Sequence, residues 1–121
     1  QDLLAQGHEQ VHYTPPASDR HAHWEWQDGT AVRTLALPGR VAADNVETYI
    51  ASALAGLGLI QVPAYDVRDH LQAGELVAVL PEARPADMPV HLVYPHRRHL
   101  SRRVQAFGGW LQALLQPCLT A

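Results

Sequence analysis

The sequence predicts an α/β fold, and three observations support that prediction. Residues 41–63 have the pattern strand, turn, helix, strand. Short apolar segments and amphipathic helical segments continue to alternate along the rest of the chain, which favours strands covered by helices. The chain has 121 residues, of which 47% are hydrophobic, so it is long enough to bury a core and is expected to form a single domain.

The central segment 41–63 contains the clearest predicted helix. Residues 41–43 are apolar and suit a short buried strand, and the next two residues, Asp44 and Asn45, are polar side chains that can bond the free amides of a helix. The apolar residues that follow are spaced by three and four, which is one helical face. These are Val46, Tyr49, Ile50, Ala53, Leu54 and Leu57.

Two glycines are expected to end this helix, because glycine accepts the left-handed conformation found at helix ends. They are Gly56 and Gly58, and residues 59–62 then resume as a strand that Pro63 stops. A strand, a helix and a strand with short links form a βαβ unit, so the sheet is predicted to be parallel. The turn before the helix, at the carboxyl end of the first strand, makes a small binding site.

The residues before this segment predict a short helix or turn at residues 1–8, a strand at 11–13 and then a β-hairpin. In the hairpin, residues 23–26 alternate polar and aromatic side chains, a turn follows at Asp28 and Gly29, and residues 32–37 alternate again. Trp24 and Trp26 share one face of the first strand. They are expected to pack on the core or on a partner, and stacking on an aromatic ligand is the alternative.

The residues after Pro63 predict a helix at 64–73, strands at 76–80 and 90–94, and a final helix from Ser101 to Pro117. A proline-rich loop separates the two strands. The final helix has a wide apolar face, which requires a partner surface. The face consists of Val104, Phe107, Trp110, Leu111, Leu114 and Leu115.

Composition excludes several classes of protein. The formal net charge is −3 and all nine basic residues are arginine, so no general basic character indicates binding to nucleic acid. The single cysteine, Cys118, cannot form an internal disulfide, which fits a reducing cytoplasm. No run approaches the roughly 18 apolar residues that span a bilayer, and no signal peptide is recognisable. A cytoplasmic protein without membrane contact is therefore expected.

Histidine is frequent in this chain, with eight residues, and it is a common metal ligand. His21 and His23 would share one face of an extended strand, but the sequence offers no third ligand, so exposed side chains are the preferred interpretation and no metal is predicted. His96 and His99 flank two arginines and are interpreted as part of a solvated cationic loop.

Catalytic motifs are not recognisable. Ser18, Ser52 and Ser101 lack the strand-to-helix turn of a nucleophile elbow, and residues 56–58 follow a helix, whereas a dinucleotide-binding glycine motif precedes one. The chain is therefore expected not to be an enzyme and to hold no cofactor.

Residues 44–115 resemble the effector-binding domain of LysR-type transcriptional regulators. The resemblance covers residues 11–116, and residues 1–4 look like the linker helix of that family. Each marker is weak alone, but their order and spacing are specific. They are the Asp44-Asn45 turn, the Ala55-Gly56-Leu57-Gly58-Leu59 step to Val62-Pro63, Gly74 before Glu75-Leu76-Val77, the Leu80-Pro81 step, and residues 90–94 followed by an arginine-rich loop and the helix with Phe107.

The resemblance implies a periplasmic-binding-protein-like (type 2) fold with two α/β lobes and a small-molecule effector between them. Residues 11–88 would form most of the second lobe, with a mixed, mainly parallel sheet flanked by helices. Residues 89–117 would return to the first lobe as a crossing strand and a terminal helix. The chain would thus be a carboxy-terminal fragment, and DNA would be bound only by a winged helix-turn-helix domain that is absent from it.

The family's effector site maps onto five positions of this sequence. Asp44, Asn45 and Val46 occupy the helix amino terminus that faces the cleft, and Val62 and Pro63 occupy the same wall. Free amides and the helix dipole at such a terminus suit an anion, although the acidic Asp44 opposes one. Helix capping and strand termination are the alternative roles for these residues.

Two further expectations follow from the resemblance. The apolar face of the terminal helix would cover the first lobe, and in its absence self-association through that helix or through the regulatory domain is expected. A solute-binding lobe of a transport protein and a small α/β enzyme are the alternative functions.

Overall fold

Two small sheets and three α-helices are formed by residues 6–15, 22–94 and 101–119, which are the residues that the computed structural model describes. They belong to two compact units, Gln1–Ala86 and Asp87–Ala121. The first unit contains β1 (Val11–Tyr13), β2 (Trp24–Asp28), β3 (Ala31–Leu35), β4 (Val41–Ala43), α1 (Val46–Leu54), a 3-10 turn (Ala64–Asp66) and α2 (Arg68–Gln72). The second unit contains α3 (Arg102–Leu119).

The parallel sheet is built around β1. This strand pairs in parallel with β4, with Val11 opposite Val41. On its other side Gln10 forms a parallel bridge with Leu59, and the Val11 N–H donates to the Leu59 carbonyl at 2.9 Å. The predicted parallel arrangement is therefore confirmed, with β1 between β4 and Leu59.

The strand predicted at residues 59–62 is wrong beyond Leu59. The chain leaves the sheet there because the Gln61 N–H donates to the side-chain hydroxyl of Tyr49 at 3.0 Å and not to a neighbouring strand. The sheet is consequently smaller than predicted, and among the described residues the parallel and antiparallel strand pairs form separate sheets, not one mixed sheet.

The core of the first unit lies between this parallel sheet and α1. Val11, Ala43 and Tyr49 are buried and form one cluster. Half-buried side chains pack around it: Tyr13, Val41, Ile60 and Val62. The helix therefore contributes a single aromatic side chain to the middle of the cluster, and the residues after the helix complete it.

The β-hairpin is confirmed. β2 and β3 are antiparallel, with Trp24 opposite Leu35 and Asp28 opposite Ala31, so two residues form the loop. Trp24 is only 7% exposed, and Trp26 is half-buried. The first strand thus packs its indole rings as the two-residue spacing indicated, while β3 is exposed over most of its length.

Helix α1 begins where the capping pattern predicts and ends three residues earlier than predicted. The Gly56 N–H donates to the Ala53 carbonyl and the Leu57 N–H donates to the Ser52 carbonyl, at 2.9 and 3.0 Å. With Gly56 at φ +74°, this is a Schellman motif, which satisfies the last carbonyls of a helix. The periodic leucine at position 57 therefore lies beyond the helix.

Three other predicted elements differ in the structure. The predicted helix 64–73 is divided at Val67, whose buried side chain and φ of −119° separate the 3-10 turn from α2. Residues 76–80 and 90–94 form no strand. Apolar residues extend into a strand only where another backbone pairs with them, and the described residues pair with neither segment. Val93, in the second of them, is 86% exposed.

Helix α3 starts after Ser101, as predicted, and the Ser101 hydroxyl accepts a hydrogen bond from the Val104 N–H at 3.3 Å. It continues two residues past Pro117, where the prediction ended it. Its aromatic residues Phe107 and Trp110 are 56% and 57% exposed, and their ring centroids lie 5.6 Å apart. The apolar face predicted for this helix thus lies open in the second unit.

Some predictions fall outside the described residues, namely those for residues 1–5, His21, His96 and His99. Among the residues that are described, no helix is long and apolar enough to cross a membrane.

Gly58 provides a test of the parallel sheet. A Cβ at this position would lie 2.9 Å from the Glu9 carbonyl oxygen, and its φ is +154°. Gly58→Ala should therefore lower the free energy of unfolding by about 2–4 kcal/mol. Gly56→Ala is the control, since open space surrounds that position, and left-handed strain alone should cost about 1 kcal/mol. Urea denaturation measures both, and equal losses would contradict the close approach of Gly58 to the strand.

Candidate functional site

The five predicted site residues lie on two neighbouring segments. Asp44, Asn45 and Val46 connect β4 to the first turn of α1, and Val62 and Pro63 precede the 3-10 turn. Val62 packs against the cluster that includes Ala43, the last residue of β4. Residues 44–46 therefore follow the carboxyl end of β4, on the edge at which open α/β sheets bind ligands, and Val62 borders the core cluster to which that strand contributes Ala43.

Asn45 caps helix α1. Its side-chain oxygen accepts a hydrogen bond from the Thr48 N–H at 2.9 Å, and its amide group donates to the Asp44 carboxylate at 3.0 Å. The capping role considered from the sequence is thus present in the structure. Asp44 and Asn45 both remain exposed, so the cap is accessible to a ligand from solvent.

The amino-terminal end of α1 is acidic. Glu47 lies in its first turn, next to the capping pair. Desolvation, and then the negative charge of Glu47, raise the pKa of the Asp66 carboxyl above its usual value. The acidic side chains offset the attraction of the helix dipole for an anion.

Val62 and Pro63 determine the path of the chain beside this helix end. Val62 is half-buried in the core cluster. Pro63 has φ −55° and its carbonyl accepts from the Asp66 N–H at 3.1 Å, so it begins the 3-10 turn. Both residues therefore have structural roles in the wall formed by the two segments.

Sequence reasoning placed Tyr49 on the apolar face of α1, but it missed the hydrogen bond of the Tyr49 hydroxyl and the contacts of Gln61. The Tyr49 ring lies 5.2 Å from the Tyr13 ring, and its hydroxyl accepts from the Gln61 N–H. The Gln61 side chain pairs with the main chain of Glu25 in β2. One sequence signal could have indicated the role of Gln61. It is the only polar side chain between Leu59 and Val62, and a polar side chain in a half-buried segment needs a hydrogen-bond partner.

A shallow concavity of about 350 Å³ lies elsewhere, at the amino ends of the parallel strands. Residues 7–9, Arg40 and residues 56–59 line it, and the Arg40 guanidinium contacts the Glu9 carboxylate at 2.8 Å. None of the five predicted residues belongs to this lining. The concavity thus lies on the edge opposite to the carboxyl ends of the strands, where open α/β sheets bind ligands.

Metal binding finds no support in the part of the chain that the structure describes. No group of three or more histidine, cysteine, aspartate or glutamate side chains is arranged there to hold an ion.

Tyr49 makes the stability of the domain depend on pH. Burial is the main cause of its raised pKa, and the hydrogen bond from the Gln61 N–H partly opposes that increase. Because the folded-state pKa exceeds the unfolded value, the neutral phenol stabilises the fold fully below pH about 10, and that contribution is lost as the pH rises through the raised pKa.

The urea midpoint of the unsubstituted chain should therefore fall above pH about 10, and that of Tyr49→Phe should fall less, because phenylalanine has no group that ionises. At neutral pH the variant should be less stable by about 1–2 kcal/mol, since the Gln61 N–H loses its acceptor. Tyr65→Phe, at an exposed tyrosine, is the control and should keep the original profile. Identical alkaline profiles for all three proteins would contradict the role of Tyr49.

Comparison with known proteins identifies one family over nearly the whole chain. The sequence profile of the LysR substrate binding domain matches residues 4–116. The HTH-type transcriptional regulator YhjC of Escherichia coli K12, itself uncharacterised, is 38% identical over 112 residues, which is 93% of this chain and 38% of YhjC.

Two other relatives are an HTH-type transcriptional repressor and an HTH-type transcriptional activator. The repressor, from Pseudomonas aeruginosa, is 33% identical over 91 residues, covering 75% of this chain and 29% of the relative. The activator TtdR of Escherichia coli K12 is 30% identical over 98 residues, covering 78% of this chain and 32% of TtdR. The chain thus spans about a third of the length of these relatives.

Proposed function

Because the chain belongs to the LysR substrate binding domain family, we propose that it is the ligand-sensing part of a LysR-type transcriptional regulator. The match over residues 4–116 carries this proposal. The relatives described above are HTH-type transcriptional regulators, which favours a regulator over a transport protein or an enzyme. Since one represses and another activates transcription, the direction of regulation is not part of the proposal.

The proposed architecture is a periplasmic-binding-protein-like (type 2) domain with two lobes. Residues 11–88 correspond to the second lobe, and residues 89–117 correspond to a crossing strand and a helix that pack on the first lobe. The separation of the described residues near Ala86 supports a boundary in this region. An effector between the lobes would favour the closed arrangement, and closure would bias how subunits are arranged on DNA. A winged helix-turn-helix domain of the longer protein would make the DNA contacts.

The proposed effector wall consists of Asp44, Asn45, Val46, Val62 and Pro63. Support comes from the position of residues 44–46 after the carboxyl end of β4, from the packing of Val62 on the cluster that includes Ala43, and from the exposure of the Asp44-Asn45 cap. The carboxylates at this end of α1 oppose an anionic effector. A neutral or cationic effector with hydrogen-bond donors therefore fits the wall better.

Substitution of Asn45 in the complete regulator tests whether this wall binds the effector. The effector is first found by thermal-shift screening of the two-lobe domain. Asn45→Ala should raise the effector concentration that gives half of the full change in reporter transcription by about tenfold, which corresponds to about 1.4 kcal/mol of binding free energy. DNA affinity without effector should remain unchanged, because the DNA-binding domain is separate.

Loss of the cap alone destabilises a helix by about 1 kcal/mol, so a matched variant is needed. Asn45→Ser keeps a capping oxygen and should restore stability without restoring the full effector response. If Asn45→Ala responds to effector as the unsubstituted regulator does, Asn45 is not part of the effector site.

The apolar face of α3 supports the proposed packing on another α/β lobe. Its exposed members are Val104, Phe107, Trp110 and Leu114. In the 121-residue chain alone, we propose that this face is covered by self-association through the same helix, since a patch of this kind is rarely left open.

Sedimentation velocity tests that proposal. The 121-residue chain should form dimers or larger species at high concentration. Combining Phe107→Gln with Trp110→Gln should raise the dissociation constant of self-association by about tenfold or more and so favour the monomer. Gln112→Ser, on the same helix, is the control and should leave association unchanged. A chain that remains strictly monomeric at high concentration would contradict the proposal.

A further inference from the structure

The Gln61 side chain makes a two-point contact with a main-chain segment 36 positions away in sequence. Its amide nitrogen donates to the Glu25 carbonyl at 2.6 Å, and its amide oxygen accepts from the Glu25 N–H at 3.1 Å. A neighbouring strand would provide the same two partners, one acceptor for the N–H and one donor for the carbonyl of a residue at the sheet edge. The side chain therefore takes the place of a strand partner at Glu25, the second residue of β2.

The main chain of Gln61 is held as well. Its N–H donates to the Tyr49 hydroxyl at 3.0 Å, and Tyr49 is buried in the core cluster. The next residues along the chain, Val62 and Pro63, belong to the proposed effector wall. Gln61 thus connects three parts of the first unit: α1, the wall and β2.

Two contacts attach the outer edge of β2 to the rest of the first unit. One is the pairing of Glu25 with Gln61, and the other is the hydrogen bond from the Gln27 N–H to the Arg84 carbonyl at 2.8 Å. Trp24 lies buried beside them. Of the three hydrogen bonds in these two contacts, the Gln61 side chain makes two.

We infer that Gln61 is a latch that couples the β2–β3 hairpin to the wall formed by Val62 and Pro63. A ligand that displaces the wall also displaces the Gln61 main chain, and the side chain transmits that displacement to Glu25. The hairpin is then the segment that responds to occupancy of the site. This consequence rests on the proposed function, whereas the coupling itself is a property of the chain.

Hydrogen exchange of individual amides tests the coupling without any effector. Gln61→Met keeps the length of the side chain and removes its hydrogen bonds, and Gln61→Asn keeps the amide but is too short to reach β2. Both should accelerate exchange of the Glu25 amide by about tenfold, because an opened edge loses its protection. Amides of α1 should change much less. Gln72→Met, the same substitution at an exposed position of α2, is the control.

Tryptophan fluorescence provides a second readout of hairpin release. In a Trp110→Phe background the emission comes from Trp24 and Trp26 alone, and release should move it to longer wavelength. Unchanged exchange at Glu25 in both Gln61 variants would overturn the latch. Equal acceleration at all amides, including those of α1, would also overturn it, since Gln61 would then only contribute to global stability.

A double-mutant cycle tests transmission from the wall. Pro63→Ala should accelerate Glu25 exchange about threefold when Gln61 is present and have no further effect in Gln61→Met, because coupled residues are non-additive. Additive effects would overturn the latch. No effector is used in these exchange experiments, so a negative result for Gln61 would leave the proposed sensing function intact. Conversely, Asn45 variants with an unchanged effector response would leave the coupling through Gln61 intact.

Discussion

The burial of Tyr49 is the interaction on which the rest of the first unit depends. Its ring joins α1 to the parallel strands through Val11 and Ala43. Its hydroxyl accepts the Gln61 N–H, a half-buried donor that would otherwise lose the hydrogen bond it makes to water in the unfolded chain. One side chain thus packs the helix and also directs the segment that follows the helix away from the sheet.

The position of the proposed site follows from that arrangement. Because Gln61 turns toward the helix, Val62 lies against the core cluster to which β4 contributes Ala43, and residues 44–46 follow directly after that strand. The cap of α1 is exposed at the same end. The shallow concavity lies at the amino ends of the strands, where the Arg40 guanidinium and the Glu9 carboxylate are paired with each other.

Local patterns predicted the elements that depend on local physics. Periodicity and caps identified α1 and α3, and alternation with a turn identified the hairpin, because these signals arise from residues close in sequence. Residues 76–80 and 90–94 look like strands by composition, but a strand also requires a partner backbone. The Gln61–Glu25 pairing was likewise hidden, since it joins distant segments. Asn45 was predicted both as a cap and as a site residue; the structure contains the cap, and the site role stays a prediction.

We propose above all that the wall formed by residues 44–46 and 62–63 binds the effector. Amide NMR of the complete two-lobe domain, titrated with a compound that raises its melting temperature, tests this claim most directly. We predict that the resonances of Asn45, Val46, Thr48 and Val62 shift with a common dissociation constant. Shifts confined to Gly7, Arg40 and residues 56–59, which line the concavity at the opposite edge of the sheet, would contradict the account.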